Sequence, residues 1–172
     1  SRDWGSQHDC LTSALMALEA WAHHRVEAKE PFENVLSEVL GPNDSPAAFL
    51  LIAVDLVLSH WPNSREAAIP FLSCPELLCI DRERQVQDSI PQPDFFGFKS
   101  LEKEPTGAVS LEVINRRASR RSTLEDLLGR YAISDPEELG NRLRTDLRQA
   151  ADKLGPPSEQ ADLGDPAFMA FH

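Results

Sequence analysis

The sequence is poor in the residues that build sheets. Threonine, valine and isoleucine are sparse, aromatics make up 7% of the chain, and there is a single tyrosine. Leucine, alanine, glutamate and arginine abound instead, and such side chains favour helix because most lose little rotamer freedom there. Only three cysteines occur, Cys10, Cys74 and Cys79. So thin and odd a set excludes a secreted disulfide framework, and reduced thiols in a cytoplasmic protein are the expectation. No apolar run reaches the ~20 residues of a membrane span. The longest, Pro46 to Leu58, is broken by Asp55. The given residues do not open on a signal-peptide pattern. The nucleotide-cradling patterns G-x-x-x-x-G-K followed by Ser or Thr, and G-x-G-x-x-G, are missing too.

Positive charge is also short. The net charge of −11 argues against a general affinity for nucleic acid or anionic membrane. Residues 1–105 carry 8 basic and 17 acidic side chains, and residues 106–172 carry 9 and 11, so any anion-binding face belongs to the second part. The 172 residues suffice for one domain, or one domain with a tail. The chain opens Ser-Arg-Asp-Trp without methionine and stops in Pro-Ala-Phe-Met-Ala-Phe-His, a helix just starting. A segment of a larger protein is expected.

What is there reads as helices. Leu11, Ala14, Leu15, Leu18, Trp21 and Ala22 mark one face of a first helix over residues 6–30. Phe32, Val35, Leu36, Val39 and Leu40 mark a second, which Gly41 ends. After the turn Gly41-Pro42-Asn43-Asp44, Ser45 and Pro46 open a helix that is apolar nearly all round, predicted to be central. Residues 64–72 follow, with Pro70 bending or ending the piece, then a helix over 75–88. Residues 1–90 thus form a helical core. Prolines and glycines over 91–110 read as a long ordered loop. Helical signals return over 111–121 and 123–131. Asp135 and Glu138 are spaced as a capping box for a helix ending at Leu154, and 111–172 is expected to complete the same domain. The fold class is all-α: a helical bundle, or a short HEAT-like array of helix pairs.

The array reading comes from an offset of 40 residues. It sets Leu11 on Leu51, Leu18 on Leu58, Trp21 on Trp61, Arg25 on Arg65 and Ala28 on Ala68. Stacked helix-pair repeats have periods near this value, about 40–47 residues. The run from Ser45 to Ala48 opening an apolar helix, then Pro70 to Leu78 and Asp81-Arg82, resembles helical regions of large bacterial NTPases of the signal-transducing STAND kind. The resemblance covers residues 10–90. It implies a sensor or scaffold beside a nucleotide-binding module, and no cofactor within this segment.

Candidate chemistry is sparse. His23 and His24 are adjacent and face different directions on a helix, whereas a zinc pair needs a spacing of three or four. Cys74 and Cys79 stand five apart, outside the usual ligand gap, so no metal or cofactor site is expected. Cys10 near His8 and Asp9 has the residue types of a nucleophilic site without its geometry, so no catalytic residue is assigned. Asp55, inside the most apolar helix, must be paired or protonated; an arginine ion pair or a helix end is the expected partner. The run Arg116, Arg117, Ala118, Ser119, Arg120, Arg121 is the one local charge anomaly. Its arginines either grip an acidic partner or phosphates, or form a solvated helix end, and Arg-Arg-Ala-Ser also fits a basophilic kinase site at Ser119. Trp21 and Trp61 are expected in the core, and Trp4 is a candidate partner contact.

These residues lead to a non-catalytic helical interaction or regulatory segment, contacting neighbouring domains or another protein. Two alternatives stand beside it. One is a nucleic-acid-contacting region using Arg116, Arg117, Arg120 and Arg121. The other is part of an enzyme, with a concave pocket around His23, His24 or Asp55.

Overall fold

The computed structural model describes residues 4–89, 117–133, 137–162 and 164–171, and within these ranges it gives no side-chain placement for 4–9, 87–89, 132–133 and 171. The described residues form helices and turns with no strand, so the all-α expectation holds. The expected loop over 91–110, the start of the expected 111–121 helix and the Asp135 cap lie outside them. In chain order the helices are α1 (Trp4–Glu27), α2 (Phe32–Leu40), α3 (Ala48–Ser59), α4 (Arg65–Leu72) and α5 (Pro75–Ser89). A 3-10 turn (Ala118–Arg120) precedes α6 (Leu124–Ile133), α7 (Glu137–Leu154) and α8 (Pro166–Phe171). No described helix is long and apolar enough to cross a membrane.

Helix α3 is the centre of the core. Its residues Ile52 to Leu58 are buried without interruption, because α1, α2, α4, α6 and the 3-10 turn all pack on it. A helix that is apolar all round has no solvent face to spare and must be covered in this way. Helix α2 lays Phe32, Val35, Leu36 and Val39 against it and ends at Gly41. That glycine has φ +64, and a Cβ there would stand 2.6 Å from the Ser45 hydroxyl oxygen, so the turn needs glycine twice over. Pro70 lies inside α4 rather than ending it. It sits on the exposed side of the helix, where water can satisfy the carbonyl its missing N–H leaves unpaired.

The turn from α1 to α2 is made by paired backbone bonds. The Glu30 N–H donates to the Arg25 carbonyl at 3.1 Å and the Lys29 N–H to the Val26 carbonyl at 3.0 Å. This is the Schellman closure of a helix, and it places Lys29 at φ +70, a conformation that costs a side-chain-bearing residue energy. Helix α6 is capped from two directions. The Thr123 N–H donates to Asp126 at 2.7 Å and the Asp126 N–H to the Thr123 hydroxyl at 3.2 Å. The Leu124 N–H donates to the buried Asp81 carboxylate of α5 at 2.7 Å, while Arg84 holds the other Asp81 oxygen at 2.9 Å.

Two expected burial patterns fail. Leu11 is 61% exposed, so the outer half of α1 runs past the core that its apolar spacing was expected to face, and Trp21, in the inner half, is 42% exposed. Arg25 lies over the Trp21 ring, 4.6 Å from its centroid, and covers part of it. Trp61 does pack inward, edge-on to Tyr131. Nor does burial follow the 40-residue offset: Val26 is buried where Glu66 is exposed, and Ala68 is buried where Ala28 is exposed.

Replacing Lys29 by glycine should raise the urea unfolding free energy by about 1 kcal/mol, since the left-handed conformation costs glycine nothing. Leu56→Ala should lower it by about 3 kcal/mol through the cavity left in α3's packing.

Candidate buried polar centre

One convergence of chemically capable side chains is built where α1 crosses α3. Glu19 and His23 are four apart and therefore share one face of α1. Asp55 projects from α3, and His60 caps the C-terminus of that helix, its N–H bonded to the Leu56 carbonyl. The 117–121 segment closes over them, with Ser119 fully buried at its middle. His23 is only 3% exposed and Asp55 9%.

The His23 Nε2 stands 2.6 Å from an Asp55 carboxylate oxygen, and its Nδ1 stands 2.9 Å from the His60 Nε2. With the proton on His23 Nε2, that ring donates to Asp55 and its Nδ1 accepts from His60. With His60 as acceptor, His23 must carry two protons. In either arrangement Asp55 has the partner its burial demands. That partner is a histidine 32 residues away rather than the arginine expected from sequence. Glu19 is gripped by Arg117 in a close ion pair, and the Arg120 guanidinium stands 3.8 Å from its other oxygen. Two carboxylates thus face two guanidinium groups.

The local field separates the ionisable groups. Burial alone would raise the Asp55 pKa. The hydrogen bond from His23, the approach of the Ser119 hydroxyl and the charges of His23 and Arg120 more than offset this, so Asp55 titrates below the ordinary carboxylate value of 3.8. The Ser119 approach falls short of full hydrogen-bond geometry. Glu19 moves the other way: burial and repulsion from Asp55 push it above 4.5, against the pull of Arg117 and Arg120. Burial, then the neighbouring His23, pushes His60 below 6.5.

The structure brings His23 and Asp55 together but sends His24 to solvent, as two successive helix positions require. Of the basic run, Arg117 and Arg120 turn inward onto Glu19, Arg121 is exposed, and Arg116 lies outside the described residues. Where described, the run is an extended residue and a 3-10 turn rather than the end of a helix. Burial of Ser119 closes the kinase reading in this conformation. The side chain of Trp4 is not among those described. Cys10 is exposed, while Cys74 and Cys79 are half-buried, with thiols pushed up by desolvation. The sequence reading missed Glu19, His60 and Ser119 as members of one centre. The four-residue spacing of Glu19 and His23 was its one visible sign.

Chemically, Glu19, His23 and Asp55 offer one nitrogen and two oxygen donors lying within 4.8 Å of one another. No residue of the centre lines the surface hollows between α2 and α3, beside α5 and α8, or between α5 and α7. No family model, curated protein or solved structure matches the chain.

His60 resists protonation in the folded chain, so its contribution to stability is present above about pH 6.5 and is lost as pH falls through the depressed folded value. Urea midpoints measured with chelator at pH near 8 and near 5.5 should therefore drop less for His60→Gln than for the parent chain.

Proposed function

We propose that this chain is a non-catalytic helical interaction segment that contacts a neighbouring domain or a partner protein through the outer half of α1. The carrying observation is the exposure of an apolar stripe whose spacing is that of a buried face. Leu11 and Ala14, on one face of α1, are exposed, and Leu15 beside them is only half-buried. Exposed apolar side chains on a highly charged chain are where a partner gains most from excluding water. The polar centre supports the same reading, because its groups are turned on one another and buried rather than aimed into an open cleft.

The likeness of residues 10–90 to helical regions of STAND-type NTPases points the same way, towards a cytoplasmic sensor or scaffold beside a nucleotide-binding module. A stacked helix-pair array would also supply a partner for such a stripe, although the burial pattern gives the 40-residue period no support. The nucleic-acid alternative is weakened by the turning of Arg117 and Arg120 onto Glu19.

A photo-crosslinking residue at position 11, in the natural host protein, should give one discrete protein adduct that Ala14→Asp, at an exposed position of the same face, abolishes without changing the helical signal. The same probe at exposed Arg148 should give none. Equal labelling from both positions, or none from either, contradicts the assignment.

A further inference from the structure

We propose that Glu19, His23 and Asp55 form a site for a divalent transition-metal ion, that Arg117 and Arg120 occupy its place in the metal-free chain, and that metal binding frees the 117–121 segment from α1. This goes beyond the interaction reading and does not depend on it.

The donor set comes first. One imidazole nitrogen and two carboxylate oxygens converge from two packed helices, all within 4.8 Å. A tetrahedral ion with bonds of about 2.0–2.1 Å needs its ligands about 3.3 Å apart. The His23 to Asp55 contact of 2.6 Å would open by about 0.7 Å, and Glu19 would close by no more than about 1.5 Å. Side-chain torsions alone can supply such changes on fixed helices. An imidazole with carboxylates suits zinc-like ions better than calcium or magnesium, which prefer oxygen alone. Three protein ligands leave a fourth position for water.

Orientation is provided as well. A ligating histidine is held by a hydrogen bond at its other ring nitrogen, and His60 stands at that nitrogen of His23. With His60 Nε2 accepting from His23 Nδ1–H, the His23 Nε2 is left free for an ion. By contrast, the buried Asp81 carboxylate is consumed by Arg84 and the Leu124 N–H, and among the described residues it belongs to no group of three metal-ligating side chains.

Charge decides what must leave. In the metal-free chain two guanidinium groups balance Glu19 and Asp55. A divalent ion brings the same charge to the same oxygens, so the exchange is neutral only if both arginines withdraw. Arg120 ends a three-residue 3-10 turn rather than a long helix, and Arg117, the extended residue before that turn, reaches Glu19 from 98 residues away. Binding should therefore convert a clamped segment into a released one. A single element would then have two states set by which cation Glu19 holds.

The test uses zinc alone, titrated near neutral pH into chelator-treated chain, with calorimetry for stoichiometry and amide hydrogen exchange for the segment. One ion should bind per chain, and exchange at Arg120 and Arg121 should speed up on binding. Glu19→Gln and His23→Gln should each weaken binding by about 100-fold, and His60→Gln by about tenfold. Arg117→Ala with Arg120→Ala should tighten it by about tenfold, because the competing cations are gone. Circular dichroism confirms that each variant is helical, and the conservative Glu19→Gln keeps the test open should His23→Gln unfold. Absence of stoichiometric binding, binding indifferent to both ligand variants, or an arginine variant no tighter than the parent would each overturn the proposal.

Discussion

A hydrogen bond of 2.6 Å between the His23 imidazole and the Asp55 carboxylate pins α1 to α3, and the arrangement around it follows from the cost of burying that carboxylate. An ionised group taken out of water loses several kcal/mol of hydration, which only close partners can restore. Asp55 has no polar neighbour within its own run of buried residues. The partners must come from elsewhere in the chain, and they do, from α1 and from the 117–121 segment. Three stretches distant in sequence are thereby made to assemble together.

The bulk of the packing is apolar and needs no such device. Ile52, Leu56 and Val57 of α3, Phe32 and Val35 of α2, Ile69 and Leu72 of α4, and Leu124 and Leu127 of α6 fill one continuous core. Nonspecific burial of this kind rewards many arrangements, whereas a buried polar group rewards few. Asp81 fixes where α6 begins relative to α5 by capping its first turn. The His23 centre fixes how α1 lies over α3. The two anchors differ in kind: Asp81 is saturated by donors, while the Glu19 and Asp55 carboxylates are drawn together beside His23 around a small volume that cations stabilise. Beyond that volume α1 continues outward with apolar residues uncovered, so one helix carries both the locked end and the open surface.

Much of the fold was legible in the sequence because helix period and capping are local. The amphipathic spacing of α2, the glycine that ends it and the all-round apolarity of α3 each specify their own outcome. Asp55 could be marked as needing a partner, since a carboxylate in such a helix has no other choice. Its identity could not be read, because His23 is brought to it only by the crossing of α1 on α3. Glu19 is one acid among 28 in sequence and becomes distinctive only when Arg117 reaches it across 98 positions. The apolar stripe on α1 misled for a related reason: spacing says that a face wants cover, not that this chain provides it.

The most direct test of the buried pair is the imidazole nitrogen spectrum of the chelator-treated chain at neutral pH. A His23 Nε2 proton shifted far downfield, slow to exchange with water and lost in Asp55→Asn, is the expected signature. Rapid exchange at that nitrogen, with His23 indistinguishable from solvent-facing His24, would contradict the account.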